Sequence, residues 1–476
     1  MDDAQPHEPK RQRTEDARSA ETAADLRLRT AVIPSGKPVF LRLPSGMVKL
    51  VPLTPNTDVS IGKFGTFRAD DIIGRPFGPT YEILPDGSLE IMSQAVAEVL
   101  AETEATNENI YDDGESQTLS YEDIKALKAS GASGRDIIQK QLESNKSYEL
   151  RTVFSQDKIM KRKESKHLRF FTPLPPDMLT VAKYNFERCP EKIRGLRDDS
   201  LAQCLSFANV HAGGRYLVVD GVGGLLTGAI LERMGGCGLL FAVHDTDSPP
   251  PFELMPQYNL TPTHTAVLRT IHWAATERRW KLPAHMAEEL AKEYPNDRDR
   301  RRASKKRHAI EEYIRSRNEF FSGNFDAVLV ACPYEPYSII HRLTPLLAGS
   351  ANVVVHSPYL QPLVETQARL RARHSYVNVS VTEPWLRRYQ VLPGRTHPEM
   401  TTSASGGYIL NAVRILDEDE AEACVTSVSG QAPPAEDASA KDAPPAEGGA
   451  GQLAGDSQND ANGQAPTSAP HVDNTI

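Results

Sequence analysis

The residues best placed to do chemistry lie in one stretch, Arg215 to Gly236, RYLVVDGVGGLLTGAILERMGG. Tyr216 to Val219 form an apolar run that ends in Asp220, as expected of a parallel strand covered on both faces. A glycine turn follows. Leu226, Ala229, Ile230 and Met234 then recur at helical spacing, and Gly235 stands where a left-handed C-cap belongs. Strand, glycine turn and helix are the opening unit of a nucleotide-binding α/β fold, in which bare backbone receives a ligand's charged or polar groups.

Folds of this kind that hold S-adenosylmethionine use an acid-x-Gly-x-Gly-x-Gly turn. Counted from Asp220, the first and third glycines of that pattern fall on Val222 and Leu226, so branched side chains stand where close approach is needed. A shift of one residue would bring Gly221 and Gly223 into register, and the two alignments stay open at this point. His244-Asp245 ends the next strand candidate, where an acid can bind ribose hydroxyls; a helix cap or loop acid is the alternative. A third strand ends in Ala331-Cys332-Pro333-Tyr334, with no carboxylate before Glu335 to orient an amine or take up a proton. No histidine is placed by sequence to activate Cys332, which reads as a packing residue. The frame of a cofactor site is present and its floor is degraded.

Basic residues gather elsewhere. SQDKIMKRKESKHLRFF (Ser155 to Phe171) carries Lys158, Lys161, Arg162, Lys163, Lys166, His167 and Arg169, a density suited to phosphate contacts through counterion release. Phe170 and Phe171 serve either as stacking platforms or as core. RDRRRASKKR (Arg298 to Arg307) is denser still; it reads as a surface insert, with an RNA role as the second reading. In EPWLRRYQVLPGRTHP (Glu383 to Pro398), Trp385 and Tyr389 interleave with Arg387, Arg388 and Arg395. That mixture suits RNA, a protein interface, or a core tryptophan with solvated arginines.

The elements that must position these residues follow from texture. Over 476 residues, two domains or more are expected. Residues 1–28 and 417–476 read as disordered. Residues 29–101 hold short strand-like pieces broken by Pro, Gly and Asn, which predict a small β-barrel-like domain. Residues 102–184 form a helical and basic linker region, with Ser120-x-x-Asp123 as a capping box and Ile137, Ile138 and Leu142 on one helix face. Residues 185–416 alternate strands (216–219, 239–243, 326–330, 352–355, 377–381, 408–415) with helices, and predict a mostly parallel doubly wound sheet with a charged insert at 276–317.

The net charge of −9 says little about partners, because acidity lies in tails and linkers while the middle is basic. Five cysteines show neither a CxxC pair nor ligand-like spacing with histidine, which predicts reduced thiols and no structural metal. No long apolar run predicts a membrane span or a secretion signal. Pro9 to Arg13, PKRQR, reads as a nuclear import signal or as a solvated charge cluster; the nucleus is the expected location.

The sequence resembles the family of non-catalytic subunits of the eukaryotic tRNA adenine-58 N1-methyltransferase. The resemblance runs through IGKFG (Ile61 to Gly65) with Ile73-Gly74 and Tyr81-Glu82, FSQDKIMKRK (Phe154 to Lys163), Ala208 to Gly236, Phe325 to Pro333, and Glu383 to Pro398. It implies an α/β fold: a barrel-like N-terminal domain followed by a Rossmann-like methyltransferase domain. It also implies a heterotetramer with two copies each of this chain and a catalytic subunit. The partner would bind S-adenosylmethionine, leaving no cofactor in this chain, while this subunit helps hold the tRNA. RNA holding then falls to Lys158, Lys161, Arg162 and Lys163, with Lys166 and Arg169 in the same run. Arg387, Arg388 or Arg395 would approach the tRNA near the partner's active site. A self-sufficient methyltransferase with an atypical glycine loop is the alternative.

Overall fold

The computed structural model describes residues 28–92, 119–130, 134–145, 147–148, 151–246, 248, 250–294, 296–392, 395–401 and 403–416. The expected disordered segments, Leu28 apart, and the PKRQR motif lie outside these residues.

Seven short strands build the N-terminal part: β1 (Pro38–Arg42), β2 (Val48–Pro52), β3 (Asp58–Ser60), β4 (Thr66–Arg68), β5 (Tyr81–Ile83), β6 (Leu89–Ile91) and β7 (Phe170–Leu174). Five form an antiparallel sheet in the order β2-β1-β7-β5-β6, and β3 and β4 pair as a separate ribbon. The barrel-like closure expected from the sequence is not formed: no ladder among the described residues joins β2 to β6 or attaches the β3–β4 ribbon. β3 to β6 have only three residues each, too few to sustain a continuous ring of ladders.

The central strand β7 comes from the basic segment. It is placed there by Phe171, whose ring stacks on Phe67 at 4.5 Å and on Tyr81 at 5.7 Å. Of the two readings open for Phe171, core is the one observed. Ahead of β7 run the helices Tyr121–Ala129, Gly134–Glu143 and Val153–His167. Ser120 and Asp123 cap the first reciprocally, with Asp123 N–H donating to Ser120 Oγ (3.2 Å) and Ser120 N–H to Asp123 Oδ2 (3.0 Å).

The larger sheet contains β8 (Arg215–Asp220), β9 (Leu239–His244), β10 (Leu268–His272), β11 (Phe325–Ala331), β12 (Leu347–Ser357), β13 (Tyr376–Thr382) and β16 (Tyr408–Arg414). A ribbon of β14 (Tyr389–Leu392) and β15 (Arg395–Pro398) is inserted between β13 and β16. The order is β10-β9-β8-β11-β12-β16-β13. The first five are parallel, and β16 runs antiparallel to both its neighbours. Strand order therefore reverses between β8 and β11, which opens a crevice at their carboxyl ends. β10 is not among the strands the sequence predicts. Only Ile271 is buried in it, so this edge strand lacks an apolar run.

Helices Met178–Arg188, Asp198–Phe207 and Leu225–Met234 cover one face of the sheet, and Pro336–Leu343 and Leu360–Arg371 the other, each over its own apolar core. Arg29 fastens the chain's N-terminal end to this body. Its guanidinium donates to the carbonyls of Pro176 and Tyr258, both at 2.8 Å, and pairs with Glu232.

Two buried histidines sit in the same body. His356 in β12 contacts the Gly406 carbonyl at 3.0 Å, and His264 bonds the Thr261 hydroxyl at 2.8 Å. Burial holds both rings at a pKa of about 4, well below the ordinary value. Between about pH 6.5 and 4 the unfolded chain binds protons that the folded chain refuses, so stability falls as pH falls through that window. The His356 ring contributes on the order of 3 kcal/mol to that loss, and the more solvated His264 ring contributes less. Urea titrations at pH 7 and pH 4.5 should show the drop, and His356→Gln should remove the larger share of it, leaving that of His264.

Candidate functional site

Asp220 ends β8 with its carboxylate turned onto the loop that follows. Oδ1 accepts from Val222 N–H (2.9 Å) and Gly224 N–H (3.0 Å). Oδ2 accepts from Thr227 N–H (2.8 Å) and the Thr227 hydroxyl (2.7 Å). Four bonds fold the turn back on the strand and cap the first turn of helix Leu225–Met234. Gly223 (φ 71°) and Gly224 (φ 88°) take the left-handed conformation that the reversal needs.

The glycines' bare faces are covered by the chain itself. A Cβ on Gly224 would lie 2.8 Å from Phe252, one on Gly221 would lie 2.8 Å from Cys332 and 3.0 Å from Pro333, and one on Gly223 would meet Leu254. The Leu254 N–H donates to the Gly223 carbonyl at 2.9 Å, which ties the covering segment down. Val222 (0 % exposed) and Leu226 (2 %) point into the core. Phe252 and Leu254 therefore occupy the space over Gly224 and Gly223, while Asp220 and Gly221 border an open cavity.

A cavity of about 560 Å³ remains beside the turn, at the carboxyl ends of β8, β9 and β11. Val219, Asp220, Gly221, Val243, Asp245 and Cys332 are among the residues that line it. Asp245 accepts a bond from the Tyr334 hydroxyl; that bond holds the carboxyl below its usual range and raises the phenol. Burial pushes the Cys332 thiol up, away from nucleophilic character. Among the described residues no group of His, Cys, Asp and Glu is arranged to hold a metal.

Two of the three basic segments singled out in the sequence meet. Gln390 on β14 donates to Asp157 on helix Val153–His167 at 2.5 Å, across 233 positions, and Lys161 pairs with the same carboxylate at 2.8 Å. Lys158, Lys161, Arg162 and Lys166 are exposed at i, i+3, i+4 and i+8, along one side of the helix, with exposed Arg169 just beyond it. Lys163 turns the other way: it is half-buried, donates to Gln141 at 2.8 Å, and burial lowers its pKa. Arg387 is half-buried, Arg388 is exposed 3.7 Å from Glu187, and Arg395 opens β15. Trp385 is 79 % exposed and Tyr389 52 %, which removes the core-tryptophan reading.

Sequence reasoning missed the residue that positions this arm. Arg197, 4 % exposed, grips Asp199 with two nitrogens (2.6 and 2.8 Å). It also donates to the carbonyls of Pro384 (3.1 Å) and Ala404 (2.6 Å) and to Ser403 Oγ (3.1 Å). It fixes both ends of the excursion that carries β14 and β15. An arginine before a helix start carries no sequence signal for such a role.

Five parallel strands with an ordered reversal, a following antiparallel strand and an acid-closed glycine turn define a Rossmann-like methyltransferase fold. The chain belongs to the Gcd10p family, which it matches over residues 32–309. It is 30 % identical over 432 residues to the tRNA (adenine(58)-N(1))-methyltransferase non-catalytic subunit trm6 of Schizosaccharomyces pombe, covering 82 % of this chain and 93 % of that protein. It is also 30 % identical over 437 residues to the TRM6 non-catalytic subunit of Mus musculus (79 % of this chain, 88 % of that one). Among solved structures it is similar to the tRNA (m1A58) methyltransferase TrmI from Aquifex aeolicus, at 14 % identity and a TM-score of 0.41, over 81 % of this chain and 100 % of that one.

Asp220→Asn turns an acceptor into a donor facing the Thr227 N–H. It should destabilise the fold by about 1–3 kcal/mol, as read from the shift in urea midpoint with an unchanged m-value.

Proposed function

We propose that this chain is the non-catalytic, tRNA-binding subunit of a tRNA adenine-58 N1-methyltransferase. Its catalytic partner binds S-adenosylmethionine and carries out the transfer. The observation that carries the reading is the glycine turn, whose bare faces are covered by Phe252, Leu254 and the Cys332–Pro333 pair. Two further features point the same way. The acid at the end of β9 is engaged by Tyr334, and the strand end at Ala331 offers no carboxylate before Glu335. The relatives are named as non-catalytic subunits, which supports the same reading.

On this reading the chain's own work is to hold RNA. Lys158, Lys161, Arg162 and Lys166 supply cations along one helix side, and Gln390 brings the arm with Arg387, Arg388 and Arg395 beside them. Exposed Trp385 and Tyr389 add flat surfaces for unstacked bases. The assembly proposed is a heterotetramer of two copies of each subunit, located in the nucleus. No helix among the described residues is long and apolar enough to cross a membrane.

Calorimetry tests the reading directly: the purified chain should take up no S-adenosylmethionine, and the co-expressed pair should bind and use it. Stoichiometric uptake by the chain alone, with methylation of tRNA, would make it a self-sufficient enzyme. Replacing Lys158, Arg162 and Lys166 with alanine should weaken tRNA binding by the pair. The log–log salt slope should flatten by about 0.7 to 0.9 for each phosphate that the variant no longer neutralises.

A further inference from the structure

Helix Asp297–Phe321 belongs to the charged insert and has no part in the function proposed so far. Two sets of its basic residues differ in what they touch. Arg307 donates to the Glu289 carbonyl at 3.1 Å and lies over the Tyr294 ring. Arg317 donates to the carbonyls of Ala275 (3.0 Å) and Glu277 (2.7 Å) and stacks on Phe321 and Trp280. Ala303 is buried on the same helix. These residues fasten the helix down.

The second set is Arg298, Arg301, Arg302, Lys305 and Lys306. They recur at i, i+3, i+4, i+7 and i+8, so they share one face, and all five are exposed. Among the described residues none of the five has an ion pair, and none of their side chains donates to a neighbour. Asp297 and Asp299 stand in the helix's first turn, and no further acid follows before Glu311. Five cations with no ion pair among the described residues thus line about 12 Å of helix axis. Holding such charges side by side is unfavourable in the free chain, and an anion that meets several of them relieves it.

We propose that this stripe is a second RNA-binding surface, which grips the phosphate backbone without reading sequence. No aromatic side chain lies among the five, so there is no platform for bases, and backbone contact is what remains. A lipid surface fits less well: no large apolar residue between Asp297 and Phe321 is exposed, so the helix has nothing to bury in an acyl boundary. The stripe is also separate from the Lys158 surface. The helix packs on β10, the edge strand, five strand spacings or about 24 Å from β16, whereas Arg197 anchors the other arm through helix Asp198–Phe207 on β12 and β16. One RNA touching both must run across most of the sheet's width.

The inference rests on RNA being the chain's ligand and is tested so that the two can fail apart. Full-length chain, alone and paired with its catalytic subunit, is titrated at several salt concentrations. The probes are a tRNA transcript, an unrelated 20-nucleotide RNA, and vesicles of phosphatidylcholine with phosphatidylserine. Replacing all five cations with alanine, which keeps helix propensity, should weaken both RNAs alike and flatten the salt slope by about 0.7 to 0.9 per phosphate released. K305E with K306E should weaken them further than the matching alanines, and R298K with R301K and R302K should keep most of the binding. Unchanged slopes for both RNAs, or an effect seen only on vesicles, would overturn the proposal. Failure of the unaltered chain to bind any RNA would instead remove the functional reading itself.

Discussion

The carboxylate of Asp220 is the constraint on which the rest of this structure depends. Three backbone N–H groups and one hydroxyl converge on it at 2.7 to 3.0 Å. Hydrogen bonds to a charged acceptor are worth about 1.5–3 kcal/mol each, and here they act at the one place where the chain must reverse from a buried strand into a buried helix. With the acid committed to the turn, the glycines no longer need to face outward. Their freedom is used for close packing: Tyr258 sits against Gly228, Phe252 against Gly224, and Cys332 with Pro333 against Gly221.

That change of use explains the branched residues that break the expected glycine pattern. Val222 and Leu226 would obstruct a ligand lying on the turn, but their side chains leave it and enter the core. The segment Phe252–Leu254 packs over Gly223 and Gly224, so that part of the turn is interior. What survives of the crevice is a cavity whose acid, Asp245, is engaged by the chain's own Tyr334 rather than left free.

The sequence and the structure agree where periodicity is strong. β8, β9, β11, β12, β13 and β16 all coincide with apolar runs that announce them, because strands buried on both faces leave continuous signals. β10 leaves none, since its neighbours cover only Ile271. Phe170-Phe171 cannot be assigned from spacing alone, because a strand that closes a sheet with residues about ninety to a hundred and thirty positions away depends on long-range pairing. The turn's broken pattern is readable, but Phe252 and Leu254 as its cover are not: nothing local in PPPFELMP says what an apolar pair will rest on. For the same reason, the bond joining Gln390 to Asp157 and the hub at Arg197 are visible only once the chain is folded.

Burial sorts the chain's arginines into two jobs, which its negative total charge conceals. Arg29, Arg197, Arg317 and Arg414 each donate to main-chain carbonyls distant in sequence, and so act as fasteners between elements. A guanidinium suits this work because its rigid fork can satisfy several acceptors at once while remaining charged. Other cations stay at the surface, on one side of helix Val153–His167 and on one side of helix Asp297–Phe321. A polyanion responds to these local concentrations, because at physiological salt a charge is felt over only about 8 Å. Acids farther away than that do not cancel a basic stripe, so a negative total charge does not exclude local basic ground.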